Sequence, residues 1–372
     1  MLALGLLVMF ASWGVAGDAK DELNFCCLSV QGSSLSATVA EDLELRLKGE
    51  PDDLAARILL TGYYTGGLSN PPVETLDSIL RAEQPRSTEA PGARLQRHLL
   101  WIIHRSPESE AAAYLPSLLH ISDPSVFREC RTAWLEQTKR HSRDARVLAH
   151  AAKFLQYSSD DYDLTVRLLL GARQVDPGNP DWALQLAGVY GIQMRCLARD
   201  SAEHRRIAVL SVEQLAAALA LDHDPESRFH MLPEAAGISL EADHPDSASR
   251  YACEALAMTS AMGANWYLPI GVHRAWTVLG GIALAGGRLD EAEADLLASS
   301  RVTHNSSSSW YGPNLILASL LYPRGGRKVV TQFLDRCLEW PLPPNDRDQL
   351  KALSALVQSD RSPDFGSCLT YD

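Results

Sequence analysis

Two aromatic pairs, each with an asparagine close by, are the side chains in this sequence best suited to gripping another molecule. One is Asn265-Trp266-Tyr267; the other is Trp310-Tyr311, with Asn314 three residues further on. Rings supply contact area and an amide can fix a peptide backbone, so the pattern suits peptide recognition at a loop. Aromatic residues in repeated architectures serve more often to seal joints between helices, and that reading competes with the first. His273 and Asn314 are polar residues at helix starts, and the sequence favours them over the tryptophans as ligand contacts.

Other residue types yield little chemistry. Asp160, Asp161 and Asp163 form an acidic group, but it lacks the glycine and distal glutamate of a calcium loop. The group begins a helical segment, so its expected role is to cap amides. The eleven histidines show no metal spacing; His223 and His230 flank a turn, where solvation is expected. No glycine-rich phosphate loop, paired CxxC, HExxH helix or GxSxG turn occurs. The expectation is therefore no catalytic residue, no cofactor and no metal. An enzyme reading, a helical toroid cutting a saccharide or peptide, needs two carboxylates at helix ends around one cavity, and no pair selects itself. A third reading is a purely structural repeat spacer.

Charge narrows the partners. Lys and Arg number 34 against 46 Asp and Glu, a net charge of -12. Without a basic run, the phosphate-neutralising term behind nucleic-acid binding is missing. An acidic surface also disfavours anionic membranes. A protein or peptide partner remains, of unspecified identity. Seven cysteines, Cys26 and Cys27 adjacent and the rest scattered, do not describe a disulfide framework.

The elements that must position these residues centre on the stretch from His273 to Arg301. Val272, Trp276, Leu279 and Ala283 recur at the spacing of a helical stripe. Gly280 allows a neighbouring helix to come close, and Gly286-Gly287 stops the first helix. Asp290, Glu291 and Glu293 then crowd the start of a second, whose inner face carries Ala292, Leu296 and Ser299. Neither helix can bury its stripe alone, so the unit requires neighbours.

Trp276, Leu279, Gly280, Gly287, Ala292 and Leu296 resemble the tetratricopeptide repeat, whose period is about 34 residues. His304 stands roughly where the closing proline of such a repeat would be. Upstream, Leu169, Ala172 and Pro177 resemble the end of one repeat, and Leu186, Ala187 and Tyr190 the first helix of the next. The order of segments also resembles that of bacterial tetratricopeptide-repeat proteins without assigned activity. It is carried by RHLLWIIHRSPES, LLLGARQVDPGNPDW, TVLGGIALAGG, YGPNLILASLL and PDFGSCLTY. The resemblance implies a right-handed α-solenoid of antiparallel helix pairs and a role in binding a protein or peptide.

Read in order, residues 2–17 form an uncharged apolar run ending in small residues, which resembles a signal peptide although no Lys or Arg precedes it. Residues 18–38 show no sustained periodicity and read as a leader. Residues 39–340 read as one continuous all-α body, and residues 341–372 as a capping helix and tail; the chain holds about eight helix pairs. Beyond residue 17 no segment is expected to span a bilayer. The expected location is exported, periplasmic or envelope-associated, with the cytoplasm as the alternative.

Overall fold

The computed structural model describes residues 27–69, 89–117, 124–156, 158–263, 265–302, 312–359, 363 and 365. The apolar run 2–17, His304, Trp310 and Tyr311 lie outside them. Among the described residues the chain is all-α, without strands. Helices pack in neighbouring pairs and also meet the next helix but one. Contacts divide the chain into two units, the first ending at Val189 and the second beginning at Tyr190.

In the first unit the helices are α1 (Ala37–Gly49), α2 (Leu54–Ser69), α3 (Pro91–Arg105), α4 (Glu110–Ser117), α5 (Pro124–Arg140), α6 (Ala145–Leu155) and α7 (Tyr162–Val175). Helix α8 (Pro180–Arg195) carries the boundary. Their starts follow from side chains that satisfy the orphan amides of a first turn. Ser36 Oγ accepts from Val39 N, Asp53 Oδ1 from Ala56 N, and Asp144 Oδ1 from Arg146 N and Val147 N. Leu95, Leu99, Ile102 and Ile103 of α3 are buried at helical spacing against α2 and α5.

Two expectations change in this unit. Residues 27–33, assigned to a leader, are helical and lie against α2. A side chain at Gly32 would strike Leu59 O, and one at Gly62 would strike Ser29 O, so the two backbones meet at paired glycines. Asp161 does not cap α7. Its carboxylate takes a forked pair of bonds from Arg131, Nη2 to Oδ1 at 2.6 Å and Nε to Oδ2 at 2.9 Å, tying α5 to the turn before α7.

The second unit contains α9 (Ala202–Leu221), α10 (Pro225–Glu241), α11 (Pro245–Met258), α12 (Leu268–Ala285), α13 (Leu289–Ser299), α14 (Ile316–Leu321), α15 (Arg327–Cys337) and α16 (Pro344–Gln358). Gly287 (φ 75°) closes α12 in left-handed geometry, and Arg288 N then reaches back to Ala283 O. The α10–α11 turn repeats this with Asp243 (φ 60°) and His244 N bonded to Ser239 O.

Helix α12 is the axis of the unit, packed by α10 and α11 as well as by α13 and α14. Its buried positions therefore include two stripes, Gly271-Ala275-Val278 and His273-Gly280-Leu284. Val272, Trp276 and Leu279, expected at the centre of one stripe, are only half-buried. Among the described residues α12 is also long and apolar enough to cross a membrane. That composition has a local cause here, because a helix packed on two sides needs apolar residues around most of its circumference.

Candidate functional site

The expected binding residues are mostly built into the joints of the second unit. His273 is fully buried. Its Nδ1 lies 2.8 Å from Ser299 O, and its Nε2 accepts the Asn314 backbone N–H at 2.9 Å. A carbonyl requires a donor and an N–H requires an acceptor, so the ring is held as the neutral Nδ1–H tautomer. Phe333 stacks on it and Trp340 meets it edge-on. Asn314 is buried as well, and its Oδ1 accepts Ile316 N at the start of α14. These two residues staple α12, α13 and the approach to α14. Their polarity is what a buried staple needs: a desolvated amide left alone would cost ~1–3 kcal/mol.

The turn before α12 is likewise engaged. Asn265 Nδ2 donates to Glu226 Oε1 at 2.7 Å, and Asn265 Oδ1 accepts Tyr267 N at 2.7 Å. The amide expected to fix a peptide backbone is thus used to fix its own turn. Burial pushes the Tyr267 hydroxyl above the usual tyrosine range, and Arg274 hydrogen-bonds it. Trp266 is half-buried, packed partly on the core of the unit.

His230, expected to be solvated, stands edge-on between these rings, its centroid 5.8 Å from Trp266 and 4.6 Å from Tyr267. Burial pulls it below the ordinary histidine range, against a hydrogen bond to Asn265 and the charges of Glu226 and Asp224. Its Nε2 is buried with no hydrogen-bond partner. The sequence held one signal for this position: His230 lies one residue from the buried Phe229, on a helix whose partner turn is rich in rings.

A second polar centre lies in the first unit, where the sequence pointed to no site. Glu44 Oε1 accepts from Tyr64 OH at 2.9 Å and from His98 Nε2 at 3.0 Å, and Arg97 Nη2 lies 3.2 Å from Glu44 Oε2. Arg57 faces His98 Nδ1 at 3.3 Å and Pro51 O at 2.7 Å, with its guanidinium 4.0 Å above the Trp101 ring. Arg57 can only donate, so His98 accepts at Nδ1 and gives its Nε2–H to Glu44. Burial alone would push Glu44 up, but His98, Tyr64 and Arg97 outweigh it and hold the carboxyl at about 2. Burial pushes His98 down. Each of these groups is committed to a neighbour, so the centre ties α1, α2 and α3 together. Tyr64 joins this network through its hydroxyl.

The residues assigned to repeat packing divide by depth. Leu169, Ala172, Leu186, Ala187, Tyr190, Ala292 and Leu296 are buried. Pro177 is exposed on the connector before α8, and Gly287 is exposed at its turn. Gly280 is buried, and a side chain on it would collide with Leu317 and stand 3.1 Å from Asp295 Cβ.

No family model matches the chain, and no curated protein matches it. Among solved structures it is similar to the crystal structure of yeast Tom70, at 12% identity over 91% of this chain and 88% of that one. The TM-score is 0.26, too low for this likeness to carry an argument.

Proposed function

We propose that the protein is a non-catalytic, protein- or peptide-binding scaffold of the tetratricopeptide-repeat type, exported by way of the apolar segment 2–17. The observation that supports the scaffold reading is the packing order, in which helices meet the next and the next but one. Such stacking gives an extended surface that neighbouring repeats hold in shape. Within the second unit, Trp266 is the contact we assign to a partner. Its turn is fixed by Asn265 and Tyr267, so the ring loses little freedom when a partner covers it.

The test is crosslinking and capture with the full chain as bait, beside a Trp266→Ala variant shown by circular dichroism to be folded. A saturable partner whose affinity falls at least about tenfold in the variant is expected, since a central tryptophan carries ~2 kcal/mol or more in such contacts. Equal capture by both proteins would remove Trp266 from the interface. Export is tested separately by fractionation and N-terminal sequencing, with a mature chain beginning near Asp18 as the expected result.

A further inference from the structure

Helix α13 is held at its C-terminal end and crowded in its middle. At the end, His273 bonds Ser299 O and Trp340 Nε1 reaches Ser300 O at 3.4 Å. In the middle, Asp295 is 9% exposed and faces α12 at Gly280, beside Leu317 of α14. No hydrogen bond or ion pair from a described residue reaches its carboxyl. In a residue so largely buried, a charge without such a partner is disfavoured.

The charged groups around it do not help. Glu291, one turn earlier on α13, repels a second negative charge; Arg288 opposes that effect but is already paired with Glu291 at 2.6 Å. Glu291 and Arg288 are the charged groups that act on Asp295; from α12 the uncharged Gly280 faces it. Arg336 of α15 donates to Leu297 O, and His273, the other titratable group in the joint, is bonded at both ring nitrogens.

We propose that the joint of α12, α13 and α14 is a pH-sensitive latch, closed while the Asp295 carboxyl keeps its proton and loosened when it ionises. Burial first, and Glu291 second, push this carboxyl up to about 6. A carboxyl raised on folding favours the folded joint below its ordinary range near 3.8, and that advantage is lost as pH rises through about 6. The latch therefore loosens between mildly acidic and neutral pH. Its consequence is a local opening of α13, away from the turn that carries Trp266.

The test is hydrogen exchange of the full chain at about pH 5 and about pH 7.5, with peptides covering α13 corrected for the intrinsic pH dependence of exchange. We expect α13 to open about tenfold more often at the higher pH, and Asp295→Asn to open equally at both. Equal opening of the unmodified protein at the two pH values would overturn the latch, as would an unchanged pH dependence in Asp295→Asn. Should that variant fail to fold, Glu291→Gln decides: removing the neighbouring negative charge eases ionisation of Asp295 and shifts the opening midpoint to lower pH, and an unmoved midpoint counts against the proposal.

Discussion

His98 in the first unit and His230 in the second are both drawn from solvent, but to opposite ends. His98 is fully buried, and each ring nitrogen has a partner in Arg57 or Glu44. His230 sits among rings, and its Nε2 has no hydrogen-bond partner. The first ring is committed to an ionic network that spans three helices, so removing it takes a hydrogen bond from a charge on each side. The second fills space and leaves one acceptor uncompensated. Burial of a histidine therefore says little until the partners of both nitrogens are known.

The largest effect expected from this difference comes from replacing each ring by phenylalanine. His98→Phe takes one partner each from the buried Glu44 carboxylate and Arg57 guanidinium, and should cost about 2 kcal/mol in urea unfolding. His230→Phe removes an orphaned ring nitrogen together with the bond to Asn265 while keeping a ring, and should change stability by less than about 1 kcal/mol. Equal losses in both variants would break the contrast.

Acid sharpens it further. Because folding depresses Glu44 to about 2, its contribution is present above the ordinary value of 4.5 and is lost as pH falls toward 2. The network is partly open to solvent, so the loss should be about 2 kcal/mol rather than the full linkage value. Thermal unfolding of the protein and of Glu44→Gln over that range measures it. Parallel pH profiles would mean that the carboxylate is not held as described.

The smallest effects concern the glycine contacts. At Gly62 the obstacle is the backbone of Ser29, which cannot rotate away; at Gly280 the obstacle includes the end of the Leu317 side chain, which can. Gly62→Ala should therefore cost about 2 kcal/mol and Gly280→Ala about 1 kcal/mol. The reverse order would show the second unit to be the more tightly packed.

Much of the helical order was legible in the residues. Asp53, Asp144 and Asp224 stand before helices and accept their first-turn amides, because capping depends on residues within one turn. Gly287 likewise marks its turn by a backbone geometry that few other residues adopt. The candidate site was less legible. Trp276 and Leu279 look more central than they are, because a single-face stripe does not describe a helix packed on two sides. Asn265, His273 and Asn314 carry the polarity of ligand contacts and spend it on their own joints.

The sequence by itself determined what depends on near neighbours: helix content, stops, caps and the net charge of -12 that argues against nucleic acid. Tertiary structure decided what depends on residues far apart in the chain. The partner of His98 lies 54 residues away in Glu44, and that of His273 lies 41 residues away in Asn314. Whether a polar side chain is free for a ligand or already bonded is settled by which helices fold against it. Local periodicity carries no record of that.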